Sequence, residues 1–172
     1  MSQESEIRKA ILASLEDFLL CEGILLNLSV NERSLTHQLA KYIDKRLPEF
    51  TPPKSNLSVD CEYNRVGNES IEPKRIGLPV KSVDSDDVKA TTVYPDIIIH
   101  ERGNNNNNLL VIEAKRLQED QSFDKQKTKA FLQQLKYKQG LLLGIPRKKS
   151  EKFFLEWFLR NAEGSDKQDF PS

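Results

Sequence analysis

Two apolar segments separated by a polar run constrain this sequence more than any other feature. Val93 to Glu101 and Leu109 to Lys115 are short and strand-like. Between them lie Gly103 and five consecutive asparagines, Asn104 to Asn108, a polar run that reads as a hairpin loop. A chain with such a hairpin must build a sheet around it.

The flanking segments supply the rest. Ile7, Ile11, Leu12, Leu15, Phe18 and Leu19 recur with helical spacing, so a first helix is expected over about residues 5–22, with Glu4 and Glu6 suited to its N-terminus. A second helix is expected from about Val30 to Leu47, with Leu35, Leu39, Tyr42, Ile43 and Leu47 on one face and Pro48, Pro52 and Pro53 stopping it. Leu57, Val59, Cys61 and Tyr63 alternate with polar residues as in a strand. Val66 to Thr92 is weakly patterned and reads as a long connection with room for a short strand. Thr128 to Gln139 carries a helical stripe of Phe131, Leu132 and Leu135, and Leu141 to Ile145 is a buried strand. Phe153, Phe154, Trp157 and Phe158 suggest a last helix, and Gly164 to Ser172 a frayed tail. The expected architecture is one domain over residues 1–172 with its core over about 30–160. It is α/β or α+β, with a mixed sheet flanked by helices.

Composition narrows the function. The 26 basic residues balance the 26 acidic ones, so no global field draws in nucleic acid. Any such binding must come from local patches, and two stand out. Lys125, Lys127, Lys129, Lys136 and Lys138 surround the penultimate helix, and Arg147, Lys148, Lys149 and Lys152 follow it. The plain alternative is a pair of solvated helix faces. The longest apolar runs are only a few residues, against about 20 for a membrane-spanning helix, and no secretory leader is recognisable. A cytoplasmic protein without a membrane partner is expected. Cys21, Cys61, His37 and His100 are too scattered for a zinc site or a disulfide framework, and both cysteines read as small buried hydrophobes.

The chemistry is concentrated in the hairpin. Its first strand begins Tyr94-Pro95-Asp96 and its second ends Glu113-Ala114-Lys115. Side chains alternate along a strand, so Glu113 and Lys115 share a face, and antiparallel pairing can bring Asp96 beside them. Two carboxylates with waters and a substrate phosphate suit Mg²⁺ or Mn²⁺. Lys115 could orient a water, stabilise charge on a phosphate, or act as a base if partial burial depresses its pKa.

Pro95-Asp96, a gap, and Glu113-Ala114-Lys115 closing an apolar strand resemble the PD-(D/E)xK nuclease superfamily. The resemblance implies a restriction-endonuclease-like core, a mixed sheet flanked by helices in the order α-β-β-β-α-β. It implies metal binding by Asp96 and Glu113, a carbonyl near Ala114 as a further ligand, and a water-assisting role for Lys115. An acidic residue on the first core helix completes such sites, and the matching position is Glu32. The chain is also similar to a group of small uncharacterised bacterial proteins, through the Glu-Arg-Ser at Glu32, Asp60-Cys61-Glu62-Tyr63-Asn64-Arg65, and the two hairpin strands. The implied activity is metal-dependent cleavage of nucleic acid, DNA favoured over RNA, with a homodimer or a partner protein helping to engage it. Glu62, Asn64, Arg65, His100 and Arg102 are then candidates for substrate contact.

Each of these residues has a plainer reading. Glu113 and Lys115 alone describe a solvated ion pair, and Asp96 a strand-start residue bonding local backbone. Glu32 also fits a Ser29-x-x-Glu32 capping box. His100 also suits a half-buried strand position, while Tyr63, Trp157 and Phe158 suit a core. The competing functional reading is a module with the nuclease fold but no chemistry, binding nucleic acid or a partner protein.

Overall fold

In a computed structural model, which describes residues 3–52, 55–63, 75–78, 89–92 and 94–171, the sheet grows outward from the central hairpin. β4 (Ile97–Glu101) and β5 (Asn104–Arg116) pair antiparallel, with Ile97 opposite Ile112 and Ile99 opposite Leu110. β1 (Leu57–Cys61) adds antiparallel to the other edge of β4. On the far side β6 (Gln139–Ile145) runs parallel to β5, a pairing that requires a crossover, and α4 (Ser122–Gln134) provides it. β7 (Phe153–Leu159) and β8 (Asp166–Phe170) extend the sheet antiparallel, giving six strands in the order β1-β4-β5-β6-β7-β8. The protein is thus α+β with a mixed sheet. Among the described residues no helix is long and apolar enough to cross a membrane.

Both faces of the sheet are covered, which is why its central strands read as continuous apolar runs. α1 (Gln3–Glu22), the short α2 (Ile24–Asn27) and α3 (Glu32–Phe50) cover one face, where Ile11, Leu15, Leu39 and Ile43 meet Ile112, Leu143, Leu155 and Trp157. α1 is tied to the last strands: Phe18 stacks edge-on against Phe153, the Arg8 guanidinium lies over the Trp157 ring, and Arg8 pairs with Asp166 at 2.8 Å. α4 covers the other face, packing Phe131 and Leu132 on Ile98, Val111 and Leu142. β2 (Arg75–Leu78) and β3 (Lys89–Thr92) form a separate ribbon within the stretch expected to be a long connection. It docks on α4 through reciprocal bonds between Gly77 and the Gln134 amide and through buried Ile76.

Several expectations change. The asparagines lie inside β5, and the turn is Arg102-Gly103, where Gly103 takes φ 77°. Polarity suggested a loop, and part of that idea survives: Glu101 pairs with Asn104 but His100 with Asn108, so the intervening residues bulge from the ladder. The Asn104 and Asn107 amides hold this bulge by donating to Glu101. Second, residues 153–159 form a strand and not a helix. Phe153, Leu155 and Trp157 face one core while Phe158 faces the other, and burial on both sides mimics helical spacing. Third, Asp166–Phe170, in the segment expected to fray, is a polar edge strand paired to β7. Fourth, α3 runs through Pro48 to Phe50. The proline falls in the last turn, so the helix ends two residues beyond it, and the Thr51 hydroxyl donates to the Leu47 carbonyl, one of the carbonyls the helix end leaves without an N–H. α4 also starts earlier than expected, at Ser122, whose N–H and hydroxyl both bond the Asp120 carboxylate.

Gly140 on β6 permits the close seating of α4. A Cβ there would lie 2.5 Å from Cγ2 of Thr128, a fully buried side chain whose hydroxyl is fixed to the Asp124 carbonyl. Gly140→Ala should therefore destabilise the protein by about 1–3 kcal/mol in urea denaturation. Adding Thr128→Ser, which deletes that methyl, should recover part of the loss.

Candidate active site

The β4–β5 register decides where the acidic residues fall. Ile97 opposes Ile112, so the same register carried one residue further sets Asp96 against Glu113. Asp96 precedes β4 after the buried Pro95, and its Oδ2 accepts the Ala114 N–H at 2.8 Å. Glu113 lies mid-strand between Ile112 and Ala114, its backbone beside Leu142 of the parallel strand, and only 1% of it is exposed. Its Oε2 accepts a 2.8 Å bond from Nζ of Lys127, which also donates to the Tyr94 carbonyl at 2.9 Å. Glu113 Oε1 has no hydrogen-bond partner, the only such buried side-chain atom among the described residues.

Burial pushes the Glu113 carboxyl well above its ordinary pKa, with Asp96 adding to the rise and Lys127 opposing it. Asp96 is raised by burial too, against the Ala114 N–H and the Lys127 charge. Lys115, on the Glu113 face, is half-buried and pairs with Glu119 at 3.3 Å. Burial works against its ammonium, but the Glu32 and Glu119 carboxylates outweigh it, so its pKa is raised. The depressed lysine that a base role needs is therefore not found. Lys115 is a charged donor here.

Glu32 reaches the same strand from α3. The helix cap is Asn31, whose side chain accepts the Ser34 N–H at 2.8 Å. Glu32 is thus the first helical residue, and the Ser29 capping-box alternative falls. Its Oε2 instead accepts the Arg116 N–H at 2.8 Å. Burial raises the Glu32 carboxyl, while that N–H and Lys115 oppose the rise. The buried Arg116 guanidinium donates to the carbonyls of Pro146 and Val30, binding the start of α3 to the end of β6. Two clefts open here. One of about 330 Å³ is lined by Arg33, Thr36, His37, Cys61, Glu62 and Asp96, and one of about 300 Å³ by Glu32, Lys115, Arg116, Glu119 and Arg147. The first turn of α3 contributes to both. Among the described residues no three His, Cys, Asp or Glu side chains gather closely enough to form a metal cage.

The remaining candidates go elsewhere. Glu62, at φ 52°, pairs with Arg33 at 2.7 Å and donates its N–H to the Pro95 carbonyl. Asn64 and Arg65 lie outside the described residues. His100 is buried, its Nε2 2.8 Å from Asp60 Oδ2 and its ring 4.7 Å from that of Tyr63. Arg102 is exposed and grips the same Asp60 through Nε and Nη2. Burial would raise the Asp60 carboxyl, but Arg102 and His100 hold it below its ordinary value. His100 and Arg102 therefore belong to an Asp60 cluster. Cys21 is exposed and Cys61 half-buried, against the expectation for both, and burial lifts the Cys61 thiol to about 11.

Three important residues escaped the sequence reading: Lys127, Arg116 and Asp60. Lys127 was legible only as one of a run of lysines. The signal that sets it apart is its spacing, four residues before Phe131 on the buried side of α4. No protein-family model matches the sequence, and neither a curated protein nor a solved structure matches it significantly.

The raised carboxyls give a signed pH prediction. Between the ordinary value of 4.5 and its raised one, Glu113 binds a proton more readily folded than unfolded. Stability is therefore lost as pH rises through that window and gained on acidification. The carboxyls held low, Asp17, Asp60 and Glu156, subtract stability only as pH falls through about 4 and below. The melting temperature should rise as pH is lowered towards that ordinary value, and Glu113→Gln should flatten much of the rise.

Proposed function

We propose that this protein is a metal-dependent phosphodiesterase that hydrolyses nucleic acid, DNA in preference to RNA, with Asp96, Glu113 and Lys115 at its centre. One observation carries this reading: the antiparallel register that sets Asp96 against Glu113, with Lys115 next on the same face. The element order supports it, since α3, β1, β4, β5, α4 and β6 follow the sequence helix, three strands, helix, strand of the superfamily the motif resembles.

The donor set fits a hard divalent cation. Glu113 Oε1 is a buried carboxyl oxygen with no hydrogen-bond partner, and Asp96 lies across the register. Mg²⁺ needs only one or two carboxylates besides waters and substrate phosphate, so a pair suffices without a cage. Asp96 and Glu113 would hold it, with the Ala114 carbonyl and Glu32 as further ligands. A bound ion would polarise the phosphoryl oxygen and acidify a water.

The chain's own residues do the rest. The Ala114 N–H fixes the Asp96 carboxylate. Lys115, kept charged by Glu32 and Glu119, orients the attacking water and stabilises negative charge on the phosphate. Water attacks phosphorus in line and gives up a proton to solvent as the new P–O bond forms, the P–O3′ bond breaks, and the 3′ oxygen takes up a proton from solvent. Arg116 clamps α3 against β6 and so holds Glu32 at the strand end.

A second reading has its own observation. Lys127 already compensates Glu113, as it would in a module that keeps the fold and binds nucleic acid or a partner protein without cutting. Incubating the protein with single-stranded, duplex and branched DNA and with RNA, in Mg²⁺ and Mn²⁺, separates the two. Metal-dependent cleavage should fall by about 100-fold or more in Lys115→Ala while circular dichroism stays unchanged. Full activity in that variant would remove Lys115 from the mechanism. No cleavage of any substrate, with no Mn²⁺ binding that depends on Asp96, would favour the silent module.

A further inference from the structure

We infer that Lys127 is a built-in cation on Glu113 Oε2, so that a divalent ion bound through the unpartnered Oε1 and Asp96 draws on the same carboxylate charge and releases the lysine ammonium. The inference rests on reading Asp96 and Glu113 as metal ligands, and it adds a resident competitor to that site.

The geometry is specific. Lys127 Nζ sits 2.8 Å from Glu113 Oε2 and 2.9 Å from the Tyr94 carbonyl, just before Pro95-Asp96. It thereby ties α4 to both arms of the carboxylate pair. Its approach runs beside the Phe131 ring, 5.9 Å from the ring centre. Glu113 is 1% exposed, whereas the Lys127 side chain keeps 14% of its surface in contact with solvent. Of the pair, the lysine is the member that meets solvent.

Charge accounting sets the direction of the effect. With both carboxyls ionised, Asp96, Glu113 and Lys127 sum to one negative charge. A divalent ion added beside the lysine makes the cluster positive, with two cations sharing one carboxylate. An ion that replaces the lysine leaves two negative charges against two positive ones. In a desolvated site the neutral arrangement is favoured. Lysine suits the role because its ammonium is a compact charge on a flexible four-carbon stem, which can swing into water. The forked guanidinium of an arginine would remain locked on the carboxylate.

Calorimetric Mn²⁺ titration of wild type, Lys127→Met, Glu113→Gln and Asp96→Asn tests this without any activity assay. Lys127→Met keeps the stem and removes the charge. It should bind Mn²⁺ roughly tenfold tighter or more than wild type, and Mn²⁺ should raise its melting temperature more than that of wild type. Glu113→Gln should abolish the gain. Equal or weaker binding by Lys127→Met, with binding still lost in Asp96→Asn, would overturn the role of Lys127 and leave the metal-site reading intact. No site-dependent binding by either protein would overturn both. If Lys127→Met does not fold, amine labelling of wild type read by mass spectrometry decides. Saturating Mn²⁺ should raise labelling of Lys127 severalfold, and unchanged or reduced labelling would overturn the inference.

Discussion

A carboxylate at the centre of a sheet covered on both faces is costly unless its charge is compensated, and Glu113 is such a carboxylate. Much of the molecule is arranged around meeting that cost. The crossover that lets β6 run parallel to β5 carries α4 over Glu113, and α4 delivers Lys127 to it. The same helix delivers Lys125 to Glu156 on β7, a second buried carboxylate, which Ser165 also bonds. Two ion pairs thus flank the apolar contact of Phe131 and Leu132, and Gly140 lets the helix descend far enough for the pairs to close. Removing one partner of a buried pair costs about 3–5 kcal/mol, whereas replacing both by packed apolar groups is often neutral. Leucines would have seated α4 as well. The retained carboxylate at Glu113, with one oxygen unpartnered, speaks for a use beyond stability.

The end of the same strand organises the opposite face. Arg116 follows Lys115, and both line the cleft that Glu32 borders. Its backbone N–H takes the Glu32 carboxylate, and its guanidinium takes the carbonyls before α3 and after β6. Three segments distant in sequence meet at this residue. The helix that carries Glu32 is set by Asn31 at its cap and by Arg116 beneath it, which makes its first turn a shared wall of the two clefts.

The sequence disclosed what depends on local pattern. The hairpin strands, α1, most of α3, and the alternation of Leu57, Val59 and Cys61 all follow from periodicity within a few residues. It also set Asp96 against Glu113 through the hairpin register, while Lys115 lies with Glu32 and Glu119 in the neighbouring cleft. It misled where burial on both faces erases alternation, as at Phe153 to Phe158, where Phe158 turns from the core that holds Trp157. It misled again at the asparagines, whose polarity says loop while their amides satisfy Glu101 and the backbone inside a strand. Lys127, Arg116 and Asp60 were hidden for a different reason. Each is defined by a partner on another element, 14 positions away across the crossover for Lys127 and 30 or more for Arg116 and Asp60, which the periodicity of one element does not contain.

The bond from Arg8 to Asp166 spans 158 positions, and the aromatic contact of Phe18 with Phe153 is nearly as distant. On a ribosome adding about 5–20 residues per second, the first helix waits roughly 8–30 s for its partners to emerge. During that interval α3, whose Tyr42 meets Phe18 edge-on, gives Ile7, Ile11, Leu15 and Phe18 only part of their final cover. The face of α1 that meets the last strands therefore closes late, after most of the sheet exists.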